Sequence, residues 1–157
     1  MVEIERKFLV GSQDYKKQAI SQERIVQGFL NTHAERTVRV RIAGDLAFLT
    51  IKGKSNVMGT SRFEWETELS VNDAEQLLRL CEEDVIEKTR YKIPLGNHVF
   101  EVDEFHGDNE GLTIAEVELK NEHETFTKPD WLAKEVTGDI QYYNSCLSKA
   151  AYKTWKK

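Results

Sequence analysis

Val2-Glu3-Ile4-Glu5-Arg6-Lys7-Phe8 opens the chain with a regular alternation, and its reading decides the fold. Side chains two apart on a strand point the same way. A strand here puts Glu3, Glu5 and Lys7 on one face and Val2, Ile4 and Phe8, with Arg6, on the other. The same period returns along the chain. Arg39 and Arg41 oppose Val38, Val40 and Ile42, and Lys52 points with Thr50 against Leu49 and Ile51. Arg62, Glu64, Glu66 and Glu68 oppose Phe63, Trp65 and Leu69. Lys88, Arg90 and Lys92 share a side, as do Glu101 and Asp103, and Glu116, Glu118 and Lys120 oppose Ala115, Val117 and Leu119.

Strand patterns cover residues 2–9, 23–30, 36–43, 46–53, 62–70, 86–93, 98–105 and 113–120. Ala43-Gly44-Asp45 and Leu95-Gly96-Asn97 read as tight hairpins, and 53–61 as a longer loop. Helical patterns fall at 13–21, at 73–83 with Asn72 as N-cap, at 121–126, and at 139–155, where Ile140, Tyr143, Leu147, Ala150, Ala151 and Trp155 form a stripe. The class is α+β with antiparallel pairing, in a single domain over residues 1–157.

Alternation by itself also describes an open sheet with one wet face. Two features favour a closed barrel with a charged lumen. Most strands carry two or three full charges in succession where threonine is the ordinary solvent-face residue. The signs are also segregated, with basic pairs at 39/41 and 88/90 and acidic pairs at 3/5, 64/66, 101/103 and 116/118. Eight strands close around a space suited to one small ligand. Buried charges of both signs need compensation. A polyanion on the arginines and lysines, with hard divalent cations on the carboxylates, supplies it.

Composition narrows the classes. A chain of 157 residues with two prolines and nine glycines has no linker or low-complexity tract. No apolar run reaches the roughly 20 residues that span a bilayer. Glu3 and Glu5 are at odds with a secretory leader, and Cys81 and Cys146 have no metal-like spacing, so the chain reads as cytoplasmic. The net charge of −5 argues against nucleic acid as partner. His33, His98, His106 and His123 lack ligand spacing, and Trp65, Trp131 and Trp155 read as outer-shell packing.

The ordered motifs resemble those of the CYTH superfamily, the triphosphate tunnel metalloenzymes. Glu3-Ile4-Glu5-Arg6-Lys7 is similar to its N-terminal ExExK signature, and Thr37-Val38-Arg39-Val40-Arg41 and Thr50-Ile51-Lys52 to its R-x-R and lysine strands. Arg62-Phe63-Glu64-Trp65-Glu66 resembles R-x-E-x-E, and Glu87-Lys88-Thr89-Arg90-Tyr91 the K-x-R strand. Val102-Asp103-Glu104-Phe105 and Ala115-Glu116-Val117-Glu118 supply the late acids. Glu135-Val136-Thr137-Gly138-Asp139, then Tyr142 and Asn144, resembles the approach to a C-terminal helix. Phe29 departs from the tyrosine often found there and receives no polar role.

The resemblance, nearest to the bacterial inorganic triphosphatases, implies an eight-stranded tunnel, open or partly plugged, holding a triphosphate with Mg²⁺ or Mn²⁺, two ions per site. It implies Lys7, Arg39, Arg41, Lys52, Lys88 and Arg90 on phosphate. It implies Glu3, Glu5, Glu64, Glu66, Asp103, Glu116 and Glu118 on metal, and Glu5, Glu116, Glu118 and Lys52 in catalysis. A homodimer is a further implication. Arg62, Glu68, Lys92, Glu101 and Lys120 lie near strand ends or outside the motifs and read as solvated. The expected reaction is hydrolysis of inorganic tripolyphosphate, with nucleoside triphosphates as weaker substrates. Adenylate cyclase and thiamine triphosphatase stand as alternatives within the family, and a non-catalytic polyphosphate-binding module as one outside catalysis.

Overall fold

The computed structural model describes residues 2–156. Its strands are β1 (Val2–Val10), β2 (Ser21–Asn31), β3 (Arg36–Ala43), β4 (Leu46–Gly53), β5 (Ser61–Leu69), β6 (Glu82–Leu95), β7 (His98–Phe105), β8 (Thr113–Glu118) and β9 (Leu132–Glu135). The sheet runs β5-β4-β3-β2-β6-β7-β8-β1-β9, and β1 also pairs with β5. That extra pairing closes β1–β8 into an eight-stranded antiparallel barrel. β1 serves two neighbours along one edge: Val2–Ile4 meet Phe63–Ser61 of β5, and Phe8 and Val10 meet β9. β9, which the alternation did not reveal, covers the stretch of β1 that β5 has left.

Gly44-Asp45 and Gly96-Asn97 make the expected two-residue hairpins, joining Ala43 to Leu46 and Leu95 to His98 across the ladders. Gly44 (φ 60°) and Gly96 (φ 62°) take the left-handed conformation that such turns demand and that glycine adopts freely.

The outward faces of the strands bury apolar side chains under short covering segments. Phe8, Tyr91, Ile93, Phe100, Val102 and Val117 pack beneath α1 (Tyr15–Gln18) and the segment carrying Phe126 and Trp131. Val40, Ala47, Ile42 and Leu49 pack beneath α2 (Val71–Leu78), through Ala74, Leu77 and Leu78. A third cluster lies inside one end of the barrel. There Phe29, Ile86, Phe105 and Ile114 surround Leu147 of α3 (Asn144–Leu147), with Tyr142, Tyr152 and Trp155 outside them.

The helices differ from expectation. Residues 13–21 yield a single turn, because Ser21 already pairs with Lys92. The 73–83 helix starts earlier, at Val71, and its cap is Ser70, whose Oγ accepts from the Asp73 amide at 3.0 Å. Residues 121–126 form no helix; Asn121 Oδ1 accepts from the His123 amide in a local turn, and Phe126 packs on Phe8 and Phe100. The long 139–155 helix breaks into 3-10 turns at Ile140–Tyr142 and Tyr152–Thr154 with α3 between them. Tyr143 (ψ 136°) and Ala151 (ψ 147°) are extended, so the apolar stripe wraps the barrel end instead of lying along one helix face.

Phe100 is fully buried, with edge-on contacts to Phe126 and Trp131 at 5.9 and 5.6 Å. Phe100→Ala is expected to lower unfolding free energy by about 3–5 kcal/mol, read from the urea midpoint at unchanged m-value.

Candidate active site in the barrel lumen

Inward-facing positions of all eight barrel strands converge on one cavity of about 210 Å³. β1 contributes Glu3, Glu5 and Lys7; β2, Phe29; β3, Arg39 and Arg41; β4, Lys52; β5, Arg62, Glu64 and Glu66. β6 contributes Lys88 and Arg90, β7 Glu101, and β8 Glu116 and Glu118. Strand register explains the grouping, since directly paired residues share a face: Lys7 stands opposite Glu116, Glu5 opposite Glu118, and Lys52 opposite Glu64. Asp103 also points inward but lies beneath its partners, 1% exposed, with its oxygens taken by Arg90 (2.8 and 2.9 Å) and Lys88 (2.9 Å).

The cavity has a floor. Tyr143, Asn144 and Ser145 close it at the end where Leu147 fills the barrel. Asn144 Oδ1 accepts from Lys88 Nζ (2.9 Å) and Gln27 Nε2 (2.7 Å), and Gln27 Oε1 accepts from Arg41 Nε (3.1 Å). Lys7 and Arg62 both stand over the Tyr143 ring, 5.2 and 5.3 Å from its centre.

A CYTH domain model matches residues 1–150. The chain belongs to the CYTH family. It is 47% identical over 156 residues to an inorganic triphosphatase of Acetivibrio thermocellus, covering 99% of this chain and 98% of that protein. It is 38% identical over 154 residues to an inorganic triphosphatase of Nitrosomonas europaea, covering 94% and 97%. Among solved structures, the crystal structure of an inorganic triphosphatase superposes with a TM-score of 0.67 at 34% identity, over 93% of this chain and 97% of that one.

The charges of this CYTH lumen are unevenly neutralised. Lys52 pairs with Glu3 (2.8 Å) and Glu64 (3.3 Å), Lys7 with Glu116 (3.6 Å), and Arg39 with Glu66 (3.7 Å). Arg41 has no ion pair among the described residues, and Arg39 Nε is buried with no hydrogen-bond partner. Burial pushes both guanidinium pKa values down, with Arg90 adding to both and Arg39 to that of Arg41. Burial also depresses Lys88, to about 7 against the pull of Asp103. On the facing wall, burial and then Glu116 and Glu3 hold the Glu5 carboxyl well above its ordinary range. Glu118 rises too, through burial and then Glu3 and Glu101. Burial pushes Glu116 up, but Lys7, a hydrogen bond with Glu5, Arg90 and Lys88 pull it well down. The lumen therefore holds unspent positive charge on β3 and crowded negative charge on β1 and β8.

Every residue assigned above to phosphate, metal or catalysis lines the cavity, except Asp103 beneath it. Arg62 and Glu101, read as solvated, also face the lumen: they share the inward parity of Glu64 and Asp103, and closure of the barrel encloses them. Glu68, Lys92 and Lys120 are exposed. Trp131 packs in the outer cluster and Trp155 beside the plug, whereas Trp65 is 40% exposed. The lumen roles of Tyr143, Asn144 and Ser145 were not read because no periodic signal places a C-terminal tail inside a barrel, and Gln27, on β2, drew no attention because it carries no charge. Phe29 lines the cavity and joins the apolar end cluster. No helix among the described residues is long and apolar enough to cross a membrane.

Glu5→Gln removes a carboxyl whose folded-state pKa is raised. Its contribution to stability is intact below the unfolded carboxylate pKa of about 4.3 and is lost as pH rises through the folded value. The metal-free variant is therefore expected to melt above the wild type at pH 8, by roughly 2–4 °C per kcal/mol relieved, and level with it at pH 4. Differential scanning calorimetry at the two pH values checks this.

Proposed function

We propose that this CYTH protein hydrolyses the terminal phosphoanhydride bond of inorganic tripolyphosphate inside its lumen, with Mg²⁺ or Mn²⁺. The observation that carries the reading is the buried pair Arg39 and Arg41, which lack full neutralisation and face crowded carboxylates across one cavity. An anion satisfies the first wall, and cations satisfy the second. Both named relatives are inorganic triphosphatases, which agrees.

The carboxylates fit a hard divalent ion. Glu5 is crowded by Glu116, and Glu64 by Glu3, and a cation relieves that repulsion. Among the described residues no three His, Cys, Asp or Glu side chains form a metal site by themselves. That suits Mg²⁺, which takes one or two carboxylates and fills its shell with water and phosphate oxygen. We assign one ion to Glu5 and Glu116 and a second to Glu3 and Glu64, with Glu118, opposite Glu5 in the ladder, left to the water. When bound, the ions offset phosphate charge and orient water. Asp103 and Glu66 are placed differently: their partners are Arg90, Lys88 and Arg39, so we assign them to holding cations in position.

In this scheme Arg39, Arg41, Lys88 and Arg90 hold the phosphate oxygens, with arginine forks matching them in pairs. Lys7 and Lys52, each beside a carboxylate, hold the remaining oxygens and keep the acidic wall in place. Glu5, Glu116 and Glu118 position the water and accept its proton. The water oxygen joins the terminal phosphorus, the bridging P–O bond breaks, and diphosphate leaves with its new charge against the basic residues.

A second substrate class has one observation in its favour. Behind Tyr143 lies an apolar cavity of about 310 Å³, lined by Ala34, Val57, Ile140 and Cys146. An organic group borne on a triphosphate would suit it. Orthophosphate release from tripolyphosphate, ATP and thiamine triphosphate, with cyclic AMP assayed in parallel, separates the classes. The expected order has tripolyphosphate first. Cyclic AMP as main product, or tight binding without turnover in added metal, contradicts the proposal.

Glu118→Gln is expected to lower kcat for tripolyphosphate by about 10²-fold or more with an unchanged circular dichroism spectrum. Arg39→Ala is expected to lower kcat/KM by a similar factor. Full activity in either variant refutes its assignment.

A further inference from the structure

The two ends of the lumen are built from different materials, and neither suits a phosphate. At the closed end, the next inward position after Lys7 is Leu9, after Lys88 it is Ile86, after Asp103 Phe105, and after Glu116 Ile114. Leu147 fills the space between Ile86, Phe105 and Ile114, and Asn144 caps it. This apolar plug blocks the end bounded by β1, β6, β7 and β8, and the route for a chain of phosphates is the opposite mouth.

That mouth is acidic. Register places Glu23 opposite Arg90, Glu68 opposite Phe48 and Glu118 opposite Glu5, all on the inward parity, with Glu66 and Glu101 lining the cavity beside them. Against these acids stand two bases of that parity, Lys92 opposite Glu101 and Lys120 two positions beyond Glu118. Glu66 is 39% exposed and Glu101 34%, so their charges face whatever leaves the tunnel. The cationic stretch is confined between this rim and the floor, and the unpartnered Nε of Arg39 lies within it.

We propose that floor and rim together set the length of polyphosphate this site accepts, with Glu23 and Glu68 as specificity-determining residues. The inference rests on the function proposed above and deepens it. A tripolyphosphate fits within the cationic stretch. A longer chain, stopped by the apolar floor, must leave its remaining phosphates among the rim carboxylates, where like charges repel. The site thereby selects a short free polyphosphate over the end of a long one, with no contact dedicated to counting phosphates.

Glu23 and Glu68 make no ion pair or side-chain hydrogen bond among the described residues, so they can be changed without disturbing the cation-holding network. The test compares orthophosphate release from inorganic tripolyphosphate and from long-chain polyphosphate, at equal concentrations of chain ends, in wild type and in the Glu23→Lys/Glu68→Lys double variant. The wild type is expected to prefer tripolyphosphate in kcat/KM by about 10²-fold or more. The double variant is expected to narrow that preference about tenfold, with salt restoring part of the wild-type rate on long chains by screening the rim. Equal wild-type rates on the two substrates, or a preference unmoved in the double variant, overturn the length filter while leaving the hydrolysis reading intact. Absence of tripolyphosphate turnover in the wild type overturns the hydrolysis reading itself.

Discussion

Charges of opposite sign held inside a barrel have to be neutralised, and every other feature of this protein answers to that constraint. Removing an ion from water costs several kcal/mol even after relaxation. The lumen offsets part of that cost internally, through pairs such as Lys52 with Glu3 and the Arg90–Asp103–Lys88 group. It stops short of completion. Among the described residues Arg41 keeps only a glutamine, and Glu5 crowds against Glu116. A fold that leaves these charges uncompensated is less stable than it would be without them, a common cost of a binding site. The arrangement makes sense when the missing partners are a polyanion and cations that arrive together.

The scaffold provides what the lumen does not. Two apolar layers on the outer faces, under α2 and under the Phe126–Trp131 segment, hold the strands in register while their inner faces carry charge. The plug around Leu147 adds a third layer and also positions chemistry: through Asn144 and Gln27 it reaches Lys88 and Arg41. Closure of the β1–β5 seam depends on only a few residue pairs, and β9 takes over along the rest of that edge of β1.

Much of this was legible in the chain because strand parity is rigid. A period of two forces Glu3, Glu5 and Lys7 to one side whatever surrounds them, and the same holds for Arg39/Arg41 and Lys88/Arg90. The parity equally includes Arg62 and Glu101, so reading them as solvated reflected their place near strand ends and not their direction. The C-terminal segment was not legible. Its apolar residues repeat as on a helix, yet Tyr143 and Ala151 adopt extended backbone because the barrel end demands a wrapped shape. Tertiary packing there overrides local pattern, and with it went the floor residues Tyr143, Asn144 and Ser145. β9 is four residues long, without alternation of its own, and exists because β1 has a free edge beside it.

The most direct test of the account is the melting temperature of Arg41→Met beside the wild type, each with and without inorganic tripolyphosphate and its divalent ion. Methionine keeps the stem's bulk and removes the buried charge. If that charge awaits an anion, the variant melts higher than the wild type when both are free of ligand, and it loses most of the rise that tripolyphosphate gives the wild type. A variant that melts lower without ligand and keeps the whole of that rise would contradict the account.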